Sequence, residues 1–332
     1  MSASGLNSRR VMESGSVLFD GDFLPVALET LDFERAAPCD LYRRLPNGEF
    51  VFLAQKGLVV DGDVRSRLKE HRTEVLYVRE EEGPVYRKYL KETLEEIVRD
   101  PVIDSRKKAE AVLGACRQVL RRVFDDPRAV FIRHAGEVIE PTVDLILADD
   151  RATSHLVKLT SYDHCTAVHS TNVGIFSVAL SRIFFGNDRR HDMHRLGIGF
   201  FLHDLGKCKI PIAILNKPGK LTPDERQIVN RHVMDGYEML DNSGLMTEEA
   251  RTIILEHHER DDGNGYPHGK TASGIHPYAR ICRLADIYEA LTSDRPYHQR
   301  RSTFEALKLM KETVVTDLDE ALFAKFVRLF LA

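Results

Sequence analysis

Histidine and aspartate side chains in the C-terminal half carry the chemistry available to this chain. Of its 14 histidines, only His71 and His134 precede residue 150. His203 and Asp204 stand side by side at the end of an apolar run over residues 196–202, with Gly206 and Lys207 just beyond. The run reads as a buried helix, and Gly206 is expected to stop it in a left-handed C-terminal turn. Two metal-competent side chains at a buried helix end need partners, because unpaired buried polar groups are costly. A metal ion is such a partner. Five further candidates sit beside apolar residues on predicted helices: His169, His232, the adjacent His257 and His258, and Asp286. Facing the core, they can converge on one point of a helical bundle. The set is nitrogen and oxygen only, which suits iron, manganese or zinc and argues against thiolate-preferring sites. Seven candidates exceed the roughly four protein ligands of one structural zinc. Two ions sharing a bridging carboxylate fit better, with Asp204 as the bridge. Each histidine alone reads more readily as a hydrogen-bonded core or surface imidazole; the joint occurrence changes the reading. His155, His191 and His194 read as surface residues.

Positioning these side chains requires a nearly all-helical region from about Arg151. Helices are expected over residues 164–185, ending at Gly186, and over 191–205. Thr222-Pro223-Asp224-Glu225 is a capping box with proline at the first helical position, opening a helix to about Leu240. Thr247 opens another, ending near Glu259, and His276-Pro277 starts a helix to about Thr292. Ser302-Thr303-Phe304-Glu305 is a second capping box, and a last helix follows Asp317. A loop over residues 208–221 and a glycine-rich loop over 261–274 interrupt the series.

The first half holds no recognisable chemistry. Within residues 16–82, Pro46-Asn47-Gly48 is a hairpin signal between two apolar runs. Val64 and Leu68 mark a short helix and residues 75–78 a strand, so a small α/β module is expected. Apolar residues then recur at helical spacing: Tyr86, Tyr89, Leu90, Leu94 and Ile97, and, after Asp104 as N-cap, Ala109 through Val123. A third helix restarts at Asp126-Pro127. Helices over residues 83–150 form either a packed subdomain or a homodimer surface, and such stripes more often pack within their own domain. The boundary between this half, expected to be regulatory, and the site-bearing half is drawn at residues 148–149.

Composition bounds the classes. The 332 residues suffice for two domains, with 43% apolar and 30% charged residues. A net charge of −4 gives no reason to expect duplex DNA binding. No apolar stretch is long enough to span a membrane, and no secretion signal is evident at the N-terminus. Five scattered cysteines read as reduced thiols of a cytoplasmic protein.

Taken in order, His203-Asp204 with Gly206-Lys207, His232, His257-His258-Glu259-Arg260 and Asp262-Gly263-Asn264-Gly265-Tyr266-Pro267 resemble the HD-GYP family of phosphodiesterases. Tyr162-Asp163, His169-Ser170 with Asn172-Val173, the stretch from Ile214 to Pro223, and Ala285-Asp286 leading to Asp294-Arg295-Pro296-Tyr297 match as well. The likeness covers about residues 151–310. It implies a mainly α protein: a C-terminal HD-type helical bundle behind a small N-terminal α/β module and connecting helices. It also implies hydrolysis of cyclic di-GMP to linear pGpG, and in some members on to GMP, at two or three metal ions, frequently iron or manganese, with zinc also suited. By matching positions, His169, His203, Asp204, His232, His257, His258 and Asp286 are ligands. Lys207 and Arg295 contact phosphate, and Tyr266 contacts the nucleotide.

Two departures qualify the match. Trinuclear members carry a glutamate four residues before the first ligand histidine; here that position is Cys165, which favours two ions and a linear product. The position after Tyr297, often basic in relatives, is His298, a weaker phosphate contact when neutral. In this chemistry two ions lower the pKa of a bridging water, so that hydroxide exists near neutral pH, and hold a phosphate oxygen as charge builds. Lys207 and Arg295 then counter that charge. The alternatives are another substrate, such as cyclic GMP-AMP or a mononucleotide, or a low-turnover module that binds cyclic di-GMP or docks a GGDEF-type synthase.

Overall fold

A computed structural model of the chain describes residues 23–28, 31, 36–59, 62–70, 73, 75–160, 165–294, 300–313 and 319–331. They fall into two compact units, one ending at Tyr86 and the other made of Leu31 and the chain from Arg87 onward.

The first unit is an antiparallel sheet of β1 (Phe23–Ala27), β2 (Leu41–Arg44), β3 (Phe50–Ala54) and β4 (Val75–Arg79), with helix α1 (Gly62–Glu70) before the last strand. The strand order is β1-β4-β2-β3. The expected hairpin joins β2 to β3: Gly48 takes φ +90°, and the Asn47 side chain accepts from the Glu49 backbone N–H at 3.1 Å. Strand β1 has no counterpart in the sequence reading. Pro25 lies at its centre, which argues against a strand in a sheet interior, but β1 is an edge strand where proline is tolerated. Val26, Leu76 and Val78 are wholly buried, while Phe23 stacks on Phe50 with centroids 4.1 Å apart.

The second unit is helical. In order it holds α2 (Gly83–Arg99, whose first residues belong to the other unit), α3 (Ser105–Asp125), α4 (Ala129–Ala148), α5 (Asp150–Leu159), α6 (Thr166–Phe185) and α7 (Met193–Leu202). A 3-10 turn, Leu205–Lys209, leads to α8 (Ile212–Leu215), α9 (Pro223–Asn230), α10 (His232–Ser243), α11 (Glu248–Glu256), α12 (Pro277–Thr292), α13 (Thr303–Thr313) and α14 (Glu320–Val327). The chain is therefore mainly α with a small N-terminal sheet. Among the described residues, no helix is long and apolar enough to cross a membrane.

Helix α6 is the axis of the bundle. It is buried from Ala167 to Ser181 on every side, as expected of a helix apolar all round. Helices α3, α7 and α12 pack around it, and α11 packs on α7. The apolar stripes of α3 and α4 are covered within the same unit, by each other and by α5, α6 and α7. Asp104 caps α3 as anticipated, its side chain accepting from Arg106 N–H at 2.9 Å. Both capping boxes form: Thr222 with Glu225, and Ser302 with Glu305.

Two local expectations need correction. The helix expected from Thr222 to Leu240 is broken at Arg231 into α9 and α10. Gly206 does not end α7 in a left-handed turn: α7 stops at Leu202, and Gly206 lies inside the 3-10 turn. The glycine is required for a different reason. A Cβ there would lie 2.0 Å from the His232 carbonyl oxygen and 2.6 Å from Gly236 N. The turn carrying Asp204 and Lys207 thus lies directly on the start of α10.

Candidate metal centre

The helix ends deliver the seven side chains to one place. His169 comes from the first turn of α6, His203 and Asp204 from the end of α7, His232 from the start of α10, His257 and His258 from the end of α11, and Asp286 from the middle of α12. His203, His232 and His257 are wholly buried, and Asp204 is 1% exposed. Two groups of potential ligand atoms lie within 4.8 Å of one another: Asp204, His232, His257 and His258 in one, His169, His203 and Asp204 in the other. Asp204 belongs to both. Its Oδ2 faces His169 Nε2 at 3.1 Å and His203 Nε2 at 3.4 Å, while its Oδ1 faces His232 Nε2 at 3.3 Å and His257 Nε2 at 3.9 Å. Asp286 joins the first-named oxygen's side, with Oδ1 3.2 Å from His169 Nε2.

Backbone carbonyls set the imidazole tautomers. A carbonyl oxygen only accepts, so each ring nitrogen facing one must carry the hydrogen. His203 Nδ1 donates to Phe200 O at 2.9 Å, His232 Nδ1 to Val229 O at 2.7 Å, and His257 Nδ1 to Ile254 O at 2.9 Å. Each of these histidines therefore turns an Nε2 lone pair inward. Those three Nε2 atoms, His169 Nε2 and Asp204 Oδ1 are buried without a hydrogen-bond partner. An orphaned buried acceptor costs about 1–3 kcal/mol, and the convergence of these atoms makes two groups that could hold a metal ion. A divalent metal satisfies them all, and the donor set of imidazole and carboxylate fits it.

Electrostatics agree with ligand duty at three histidines and at Asp204; at His169 burial works downward, but Glu289, Asp204 and Asp286 outweigh it and raise the imidazole well above its ordinary range. Burial pushes the His257 imidazolium down to about 3 and holds His258 well below the ordinary range and His232 below it, so all three are neutral as ligands must be. Burial alone would raise Asp204, but Lys207 and His203 outweigh it and keep the carboxylate ionised. Lys207 Nζ is ion-paired with Asp204 Oδ2.

Tyr266 closes one side. Its ring stacks on His258 with centroids 4.7 Å apart, and burial, then Asp204 and Asp286, raise its phenol pKa. The loop that carries it is anchored by Glu259, wholly buried, which accepts from His268 N–H at 2.7 Å and Lys270 N–H at 2.8 Å. Gly265 lies so close to the chain before it that a Cβ would sit 2.4 Å from Arg260 N.

Some functional residues escaped sequence reasoning. Glu289, 2% exposed, bonds His169 Nδ1 through Oε2, while its Oε1 accepts from Ser293 Oγ at 2.6 Å and Asn172 Nδ2 at 3.3 Å. A carboxylate behind a ligand histidine fixes ring orientation and raises its basicity. The available signal was spacing: Glu289 is one turn past Asp286 on a helix otherwise apolar on that side. Cys165 is the N-cap residue of α6 and belongs to neither ligand group among the described residues. His191, expected at the surface, is half-buried; it stacks on Phe185 and bonds Tyr278 Oη at 2.8 Å. Arg295 and His298, expected at phosphate, and Tyr162, Asp163 and Asp317 lie outside the described residues.

Comparison with known proteins places this site. An HD domain matches residues 186–322. A Pseudomonas aeruginosa protein named cyclic di-GMP phosphodiesterase PA4108 is 35% identical over 221 residues, 66% of this chain and 51% of that one. A Vibrio cholerae protein named 3'3'-cGAMP-specific phosphodiesterase 3 is 35% identical over 222 residues, 62% of this chain and 47% of that one. The chain thus spans about half the length of the curated relatives it matches. In fold it is similar to Bd1817, a HDG"Y"P protein from Bdellovibrio bacteriovorus, with a TM-score of 0.70 at 20% identity over 94% of this chain and 100% of that one. Residues 186–322, which carry every candidate ligand except His169, are thus an HD domain similar to those of proteins named as cyclic dinucleotide phosphodiesterases.

Proposed function

We propose that the chain hydrolyses cyclic di-GMP to linear pGpG in a metal-dependent reaction. The observation that supports this most directly is Asp204, whose two oxygens face two separate sets of orphaned imidazole nitrogens. On this reading two divalent ions, iron or manganese before zinc, are held by His169, His203, Asp204, His232, His257, His258 and Asp286. When bound, such ions supply Lewis-acid stabilisation of the phosphate and a nucleophile at neutral pH. Asp204, common to both ligand groups, would hold both ions. Lys207, already ion-paired with Asp204 at the edge of the cluster, presents its ammonium to the phosphate as negative charge builds. Tyr266 offers its ring face to a base and remains protonated to donate a hydrogen bond. Arg295 and His298 are assigned to the substrate by motif position. Cys165 supports a binuclear centre and a reaction that stops at the linear dinucleotide.

The likeness to the Vibrio cholerae protein named for cGAMP supports a second reading, in which cyclic GMP-AMP is the substrate. Five free cysteines, three buried and two half-buried, support a cytoplasmic setting. The test is turnover by iron- or manganese-loaded protein on cyclic di-GMP and 3'3'-cGAMP side by side, with products separated by ion-exchange chromatography. Release of pGpG faster than cleavage of cGAMP is expected. The reverse order installs the second reading, and failure to open either ring overturns both in favour of a binding module.

A further inference from the structure

Beside the metal centre lies an open cavity of about 550 Å³ whose walls carry arginines from separate elements. Arg226 and Asn230 are four residues apart on α9, so they share one face of that helix. Arg283, also in the lining, precedes Asp286 and Ile287 by three and four residues on α12 and shares their face. His258 and Tyr266 also line the cavity, so it is continuous with the ligand cluster. Arg260 lines it as well, its Nε and Nη2 donating to Asp262 at 3.1 and 2.7 Å. The cavity is therefore lined both by candidate metal ligands, His258 and Asp286, and by guanidinium and amide groups.

This arrangement exceeds what a single phosphodiester needs. A minimal diester is met by the metal ligands and Lys207 alone. A cyclic dinucleotide carries two phosphodiesters, and with one at the metal centre the other must lie away from it. Arginine is suited to that second anion: its planar fork pairs two N–H donors with two phosphate oxygens and holds its charge at any physiological pH. We propose that Arg226 and Arg283 form a subsite for the second, non-reacting phosphodiester of a cyclic dinucleotide, and so determine specificity for dinucleotides over simpler diesters. Neither arginine touches the reacting bond, so binding suffers before the chemical step does. This inference rests on the phosphodiesterase reading and names the residues by which that site selects its substrate class.

The experiment compares manganese-loaded wild type, Arg226→Ala, Arg283→Ala and the double variant on cyclic di-GMP and on bis(p-nitrophenyl) phosphate. The quantity read is the ratio of kcat/KM for the dinucleotide to that for the small diester. It should fall at least tenfold in each single variant and further in the double, mainly through KM for the dinucleotide. Arg226 is exposed, so its removal leaves folding intact; Arg226→Lys should recover part of the ratio. A ratio that stays at the wild-type value overturns the subsite, as does an equal loss on both substrates. Wild-type protein that cleaves only the small diester instead overturns the cyclic dinucleotide reading, and the subsite with it.

Discussion

In the N-terminal unit the buried side chains are apolar with few exceptions, Thr73 among them, and apolar side chains also lie open: Phe52 is 52% exposed and Val59 41%. In the C-terminal unit the apolar core is joined by a set of buried polar groups. His169, Asn172, His203, Asp204, His232, His257, Glu259 and Glu289 are all buried within the helices and loop that converge on one point. A buried polar group is retained only where something satisfies it. Glu259 is satisfied by backbone N–H groups and is scaffold. Among the described residues the Nε2 atoms of His203, His232 and His257 have no hydrogen-bond partner and are candidate metal ligands. Burial of polarity thus marks out the unit that carries the candidate site, and the partners of each buried group separate scaffold from candidate ligand.

The sharpest way to break that comparison is Asp204→Ala. Both ligand groups share this residue, so its loss should remove bound metal and turnover together, read as metal per chain by elemental analysis and as product formed. A variant that keeps turnover at wild-type rate would show the cluster to be a polar core without catalytic work. Gly206→Ala comes next. The added methyl meets backbone of α10, which cannot yield as a side-chain tip can. A loss of about 3 kcal/mol is expected, or roughly 6–12 °C in Tm for a unit of this size. Unchanged melting would mean that the turn and α10 are less tightly joined than the coordinates show.

Much of this was legible in the sequence because each ligand is tied to a local signal. Capping boxes at Thr222 and Ser302, the cap at Asp104 and the proline after His276 fixed where helices start, and hence which residues fall at their ends. Spacing then put His169, His203 and Asp286 on apolar faces. What escaped depended on contact between elements distant in the chain. Nothing near Gly206 announces that the His232 carbonyl will press on it, so a glycine after a helix reads as a left-handed stop. Strand β1 was hidden by Pro25, whose cost vanishes only because the strand is at an edge. Glu289 and Glu259 looked like ordinary charged residues, since their burial is decided by α6 and by the loop folding over them.

Glu289→Gln sharpens the comparison inside the site. The amide fills the same space and can still meet Ser293 Oγ, but it lacks the negative charge that supports His169 from behind. Loss of a partner behind a metal-bound histidine costs about 10–100-fold in metal affinity. Metal titration should show that loss, with Tm of the metal-free protein nearly unchanged and Glu289→Asp recovering part of the affinity. Equal losses of Tm and affinity would make Glu289 a packing residue.

The smallest effect is expected in the other unit. Phe52 lies on the sheet's open face, touching Tyr42 edge-on with centroids 5.8 Å apart. Phe52→Ser removes that contact and replaces a good strand former with a poor one, yet much of the ring was already in water. The cost should be near 0.5 kcal/mol, as for surface changes generally, with metal content and turnover at wild-type values. If turnover falls while stability holds, the open aromatic face of the sheet is coupled to the metal centre, and the division of labour drawn here between the two units is wrong.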